Sequence, residues 1–174
     1  AAIIVASAKD GVSVGVEKAW KYCEERNMPR FIYISKIDED HSDYNATFDA
    51  LRERFGNKIA PLVVPIWDDN KRVTGIIDVL NKKAYKMPDD KKGKRVEIPI
   101  PESKLHVVDE LYDQLMEAVA ETTEENMEKY FSGEPFTKDE IHNGLKVGMR
   151  DGTIAPVLCG SAFTGLGTEM LLQT

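Results

Sequence analysis

Two short stretches carry residues that can do chemistry. Ser35-Lys36-Ile37-Asp38 closes one apolar run, and Gly160-Ser161-Ala162 closes another. A carboxylate such as Asp38 accepts two adjacent donors at once, and guanine presents such a pair in N1–H and N2–H₂. The Lys36 stem can lie along a base face. A backbone N–H of Gly160-Ser161-Ala162 can reach guanine O6. Adenine has no donor at N1, so this pair of stretches would exclude it. Gly160 and Gly165 also have the spacing of a phosphate loop, G-x-x-x-x-G-K-[ST]. Leu166 and Gly167 stand where that motif needs Lys and then Ser or Thr. Without the cation the loop keeps its N–H donors and loses its strongest electrostatic contribution. Taken alone, it reads as an ordinary strand-to-helix turn.

The surrounding sequence supplies the elements that must hold both stretches. Ala2 to Ala6 is a continuous apolar run, which predicts a strand buried on both faces of a parallel sheet. Val16, Ala19, Trp20 and Cys23 have helical spacing, with Ser13 as a cap. Phe31 to Ile34 predicts a second buried strand. Tyr44, Phe48, Leu51 and Phe55 predict a second helix, closed by Gly56. This strand-helix-strand-helix order is α/β. After Gly56 come short strands with Pro61, Pro65, Pro99 and Pro101, as expected of edge positions. Val108, Leu111, Leu115 and Val119 mark a long helix. Shorter helices follow at Glu124–Phe131 and Thr137–Met149, the latter with Thr137 and Glu140 as a capping box. The run at Pro156–Leu158 returns to an α/β strand, and Pro156 argues for the strand's start.

An α/β unit takes about 30 residues from strand to strand. More than a hundred separate Asp38 from Gly160, so residues 58–150 read as an insertion with its own strands and helices. Once it is set aside, Ser35–Asp38 and Gly160–Ala162 fall at the carboxyl ends of neighbouring strands, where open α/β sheets bind ligands.

Composition narrows the class. The chain has 174 residues, 42% of them apolar and 30% charged, and a net charge of −7. That field repels a nucleic-acid backbone and argues against direct DNA binding. No apolar run approaches the ~20 residues of a membrane span. Cys23 and Cys159 have no C-x-x-C partner, which suits a reduced, cytoplasmic protein. The chain opens on an apolar strand and stops in a helix, so we expect a piece of a longer protein.

The two motifs resemble N-K-x-D and the later S-A loop of GTPases. "GVSVGVEKAW", "SKIDEDHSDYNATFDALRERFG", "VTGIIDVLNKKAY", "LYDQLMEAVAETTEENMEKYFSGEPFTKDEI" and "PVLCGSA" together are similar to bacterial elongation factor G or a close paralog. The resemblance covers nearly the whole chain, in register. It implies the second half of a G domain, a partial P-loop GTPase-type parallel sheet with an inserted α+β subdomain. Residues 1–57 and 151–174 would be the C-terminal part of the GTP-binding domain, and 58–150 the insertion. It implies guanine binding by Ser35, Lys36, Asp38, Gly160, Ser161 and Ala162. It implies GTP or GDP with Mg²⁺ as cofactors of a ribosome-dependent GTPase that drives translocation. The phosphate loop and switch segments would precede Ala1, so no residue here takes a catalytic or metal role. The chain alone is expected to be inactive and to hold no nucleotide tightly. Ser35 departs from the family's Asn, which braces the nucleotide loops; the resemblance then implies weaker guanine affinity or a paralogous factor.

The resemblance also implies the ribosome as partner, including the stalk protein of the large subunit. In the family, a helix comparable to Val108–Thr122 meets that protein, and the polar face here carries Asp109, Asp113, Glu117 and Glu121. The alternative reading is a non-enzymatic module that only docks there. Other features have plainer readings. Asp90-Lys91-Lys92-Gly93 matches the switch pattern D-x-x-G, but no strand precedes it. Lys91, Lys92, Lys94 and Arg95 read as a solvated loop, and Trp20 and Trp67 as core. His41, His106 and His142 lack metal-ligand spacing, and no nucleophile–base arrangement is visible.

Overall fold

A computed structural model describes residues 1–86 and 95–173. The D-x-x-G match, Lys91, Lys92 and Lys94 lie outside the described residues. In chain order the elements are β1 (Ala2–Ser7), α1 (Val14–Glu25), β2 (Arg30–Ser35), α2 (Tyr44–Phe55), β3 (Ile59–Pro61), β4 (Val63–Trp67), β5 (Val73–Asp78), β6 (Lys83–Lys86), β7 (Val96–Ile98), α3 (Glu102–Ala120), α4 (Glu124–Ser132), α5 (Lys138–Asp151), β8 (Ala155–Cys159) and α6 (Thr168–Gln173). Among the described residues no helix is long and apolar enough to cross a membrane.

The strands form two sheets. One is parallel, in the order β1-β2-β8-β3; the other is antiparallel, in the order β4-β5-β6-β7. The fold is mixed α/β, with helices packed on the parallel sheet. Local chemistry explains the helices. The Ser13 hydroxyl accepts from Val16 N–H at 3.4 Å to start α1, and Val16, Trp20 and Cys23 are buried. Asp43 caps α2, and Gly56 closes it at φ +78°. Thr137 and Glu140 form the expected capping box at α5.

Three strand placements differ from the sequence expectation. β1 is not buried on both faces: Ile4 and Ala6 are covered, while Ile3 and Val5 are 54% and 57% exposed. It lies at the sheet edge among the described strands. β3 belongs to the parallel sheet, beside β8, although its sequence pattern groups it with the insertion; the change of sheet falls after Pro61. Pro156 sits inside β8. That strand pairs with β3 over Ala155–Val157 and with β2 over Val157–Cys159. At Pro156 it therefore has a ladder partner on β3 only, and a residue without N–H is tolerated there.

Residues 58–150, expected to be an insertion, do not stand apart from the sheet. One buried cluster joins Leu51, Ile154 and Val157 to Leu115, Val119, Ile141 and Leu145. Leu62 N–H donates to the Val157 carbonyl, and Val79 N–H to the Leu62 carbonyl, so the sheets are also stitched through backbone. α5 runs into β8 through a tight turn, in which Ile154 N–H donates to the Gly148 carbonyl at 3.0 Å.

Candidate functional site

β2 and β8 are parallel neighbours, with Ile34 opposite Cys159. The end of β2 with its following turn, Ser35–Asp38, and the segment after β8, Gly160–Ala162, therefore emerge side by side. The Gly160 N–H donates to the Ile34 carbonyl at 3.0 Å. All the guanine-binding residues expected from the sequence are thus brought to one end of the sheet.

Their states differ. Ser35 is half-buried, and its hydroxyl donates to the Ala6 carbonyl at 3.1 Å, tying β2 to β1. Lys36 turns the chain at φ +60°, an uncommon conformation outside glycine. Its ammonium lies 3.9 Å from Asp10. Ile37 is buried and anchors the turn, leaving Asp38 exposed. Asp38 makes no hydrogen bond or ion pair among the described residues. It borders a groove of about 1010 Å³ between residues 37–45 and the β4–β5 hairpin, walled also by Tyr44, Trp67 and Lys71.

The second loop is held from inside. Ser161 is buried. Its N–H donates to the Leu166 carbonyl at 2.9 Å, its carbonyl accepts from Gly165 N–H, and its hydroxyl accepts from Thr164 N–H at 3.0 Å. Gly160 and Ser161 N–H groups are therefore both committed. The Ala162 N–H is not hydrogen-bonded among the described residues, and Ala162 is exposed. It is the donor of this trio that remains for a ligand.

Sequence reasoning misses two residues here. A Cβ at Gly160 would collide with the Leu166 carbonyl oxygen and the Tyr33 hydroxyl, and one at Gly167, φ +80°, with the Cys159 carbonyl. In the sequence Gly167 stands out only for failing the phosphate-loop pattern; a glycine after a strand end is a signal for close backbone approach. Tyr33 reads there as a strand residue and nothing more. Burial raises its phenol above the usual range, opposed by the nearby Thr168 hydroxyl, and Cys159 and the Asp38 charge add to the rise. Nothing in the strand pattern reports that contact.

The acidic residues of α3 are elsewhere. Asp109, Asp113, Glu117 and Glu121 are all exposed. Lys82 Nζ lies 2.6 Å from Asp109 Oδ1, so one of the four charges is already paired. Glu117 and Glu121 border a small cleft with Arg52 and Gln114. Among the described residues no three His, Cys, Asp or Glu side chains are placed to hold a metal ion.

Known proteins are similar to this chain in sequence and fold. Residues 1–174 match the model of the elongation factor Tu GTP binding domain. The chain is 35% identical over 172 residues to elongation factor G of Mycoplasma genitalium, covering 99% of this chain and 25% of that protein. It is 35% identical over 171 residues to an elongation factor G-like protein of Thermotoga maritima, covering 98% and 24%. A crystal structure of a Thermus thermophilus protein superposes with a TM-score of 0.90 at 32% identity, over 99% of this chain and 25% of that one. The chain spans about a quarter of the length of these relatives. With the full-length match and a strand order that sets two loops side by side at the sheet's carboxyl end, the chain belongs to the elongation factor Tu GTP-binding domain family.

Proposed function

We propose that this chain is the guanine-reading part of a ribosome-dependent translational GTPase of the elongation factor G type, in which GTP binding drives translocation. Asp38 accepts from guanine N1–H and N2–H₂, Ala162 N–H donates to O6, and the Lys36 stem covers one face of the base. Ser35, Gly160 and Ser161 hold these groups in place. The observation that carries the reading is the pairing of an unengaged carboxylate, Asp38, with an unengaged donor, Ala162 N–H, on loops joined by the Gly160–Ile34 hydrogen bond. We take residues 1–57 and 151–174 as G domain and 58–150 as its insertion, with β3 shared between them.

The chemistry of hydrolysis lies outside these residues. Phosphoryl transfer depends on positioning and on charge stabilisation around the phosphates. The sequence contains no G-x-x-x-x-G-K-[ST]. Mg²⁺, when bound in the longer protein, neutralises phosphate charge; the residues here orient the base. Alone, the chain should not hydrolyse GTP.

The acidic face of α3 fits a second contact of the same protein, with the stalk protein of the large ribosomal subunit, through Asp113, Glu117 and Glu121, with Asp109 shared with Lys82. A module that only docks is the weaker reading, because a GTP-binding domain model matches every residue of the chain.

Competition of GDP, ADP and xanthosine diphosphate for the full-length protein tests the proposal. GDP should win by several powers of ten over ADP. Equal binding of GDP and ADP would remove Asp38 and Ala162 as readers of guanine.

A further inference from the structure

We propose that the cleft between α2 and α3 is a binding site for a small aromatic monoanion, a carboxylate on one or two rings. The cleft is separate from the loops proposed to read guanine, and the inference does not rest on that reading.

The cleft follows from the spacing of side chains on two helices. Phe48, Asp49 and Arg52 reach it from α2. Lys104, Val107 and Leu111 reach it from α3, at the i, i+3 and i+7 steps of one helical face. β4 and β5 supply Trp67 and Ile77 to the same walls. Its volume is about 240 Å³. A cavity of about 150 Å³ lined by aliphatic and aromatic side chains already holds benzene, so this one has room for one or two rings. Phe48 is nearly covered, whereas Val107 is 44% exposed, so the cleft opens to solvent at its α3 lip.

The rim selects the charge. Arg52 Nη1 donates to Gln114 Oε1 at 3.1 Å, and Lys104 Nζ lies 5.3 Å from the centre of the Trp67 ring. Neither cation has a carboxylate partner among the described residues, and Asp49 has no cationic one. Two cations stand against one carboxylate, a local positive excess in a chain whose net charge is −7. One carboxylate on the ligand neutralises it. An apolar side chain of a partner protein would fill the walls but bring no charge for the rim. Apolar walls with a few charged groups at the mouth are the usual build of a small-molecule site. The rings pack against Phe48 and Val107, and the ligand carboxylate lies beside Lys104.

The test is isothermal titration of 2-naphthoate and its neutral amide, 2-naphthamide, into the full-length protein, with and without saturating GDP. Wild type is compared with Lys104→Gln and Val107→Asp. 2-Naphthoate should bind with a Kd of about 1 mM or below, and 2-naphthamide about two- to fivefold more weakly. Lys104→Gln should erase that difference. Val107→Asp, at the exposed lip, should keep the wild-type melting temperature and raise the Kd of 2-naphthoate about tenfold. Failure of 2-naphthoate to saturate wild type at millimolar concentration would overturn the inference, as would wild-type affinity in Val107→Asp. Equal binding of acid and amide would also overturn it, because an uncharged group would then suffice. Binding abolished by GDP would place the probe at the nucleotide loops and overturn it as well.

Discussion

The Gly160 N–H donates to the Ile34 carbonyl at 3.0 Å, one step beyond the last paired residues of β2 and β8. The parallel ladder is thereby extended into the loops. Ser35 repeats the device on its other side: its hydroxyl reaches Ala6, and its carbonyl accepts from Ala8 N–H at 2.9 Å. Three strand ends are bound together, and a carboxylate and a backbone donor project beside them. Pre-organised groups of this kind bind without first losing loop entropy.

That arrangement depends on two glycines. At Gly160 and Gly167 an added Cβ meets backbone, which cannot swing aside. Gly160→Ala should destabilise by about 1–3 kcal/mol through overpacking. Gly167→Ala should cost more, because its φ of +80° adds about 1–2 kcal/mol for a residue with a Cβ. Gly11→Ala, at φ +69° with open space around it, isolates the backbone part. Urea denaturation should rank Gly167→Ala above Gly11→Ala. The reverse order would mean that the loop moves freely around the new methyl.

The shared core predicts one unfolding transition rather than two. Leu115 on α3 is fully buried in the cluster that holds Leu51 and Val157. Leu115→Ala should cost about 2–5 kcal/mol and should shift the whole transition. The two tryptophans report the two sides: Trp20 lies on α1 and Trp67 on β4. Fluorescence of single-tryptophan variants should give coincident midpoints in denaturant. Separated midpoints would show that the insertion folds by itself.

Much of this arrangement is legible in the sequence. Helical spacing locates Trp20, Leu51 and Val119 on buried faces, and the strand-end rule brings Ser35–Asp38 beside Gly160–Ala162. What cannot be read is what depends on contacts across the sheet. An apolar run such as Ala2–Ala6 looks alike whether one face or both are covered, so the exposure of Ile3 and Val5 is set by neighbours. Ile59–Pro61 resembles the strands after it, and only its pairing to β8 assigns it to the parallel sheet. That Ala162 keeps its N–H while Ser161 spends its own on Leu166 follows from how the loop closes, which residue spacing does not encode.

Acid should loosen the contact between α4 and α5. Glu140 sits at a pKa of about 2 against an ordinary 4.5, first through its hydrogen bonds to Lys129, at 2.7 and 2.9 Å, and then through Thr137 N–H. A carboxylate with a lowered folded pKa adds stability above its unfolded pKa and loses it as pH falls through the folded value. The contribution is therefore complete above pH 4.5 and fades towards pH 2. Glu140→Gln should be less stable than wild type near neutrality, and the gap should close across that window. Thermal melts of both proteins from neutral pH down to about pH 2 measure it; a gap independent of pH would assign the loss to the cap geometry instead of the charge.

The remaining prediction concerns Asp38 in the full-length protein. Hydrogen bonds to a charged group are worth about 1.5–3 kcal/mol each. Losing both acceptor contacts to guanine lowers affinity by about two to four powers of ten. Asp38→Asn exchanges one acceptor oxygen for an amide donor, which now faces the guanine 2-amino group donor to donor. Xanthine carries an oxygen at that place, so the variant should prefer xanthosine triphosphate. Asp38 is exposed and takes no partner among the described residues, so the fold should be unchanged. Ser35 remains bound to Ala6 and Ile37 remains buried, which keeps the turn in place for the new amide. Competition among GTP, ATP and xanthosine triphosphate for wild type and variant measures the exchange. Retention of full GTP affinity by Asp38→Asn would show that this carboxylate does not touch the base.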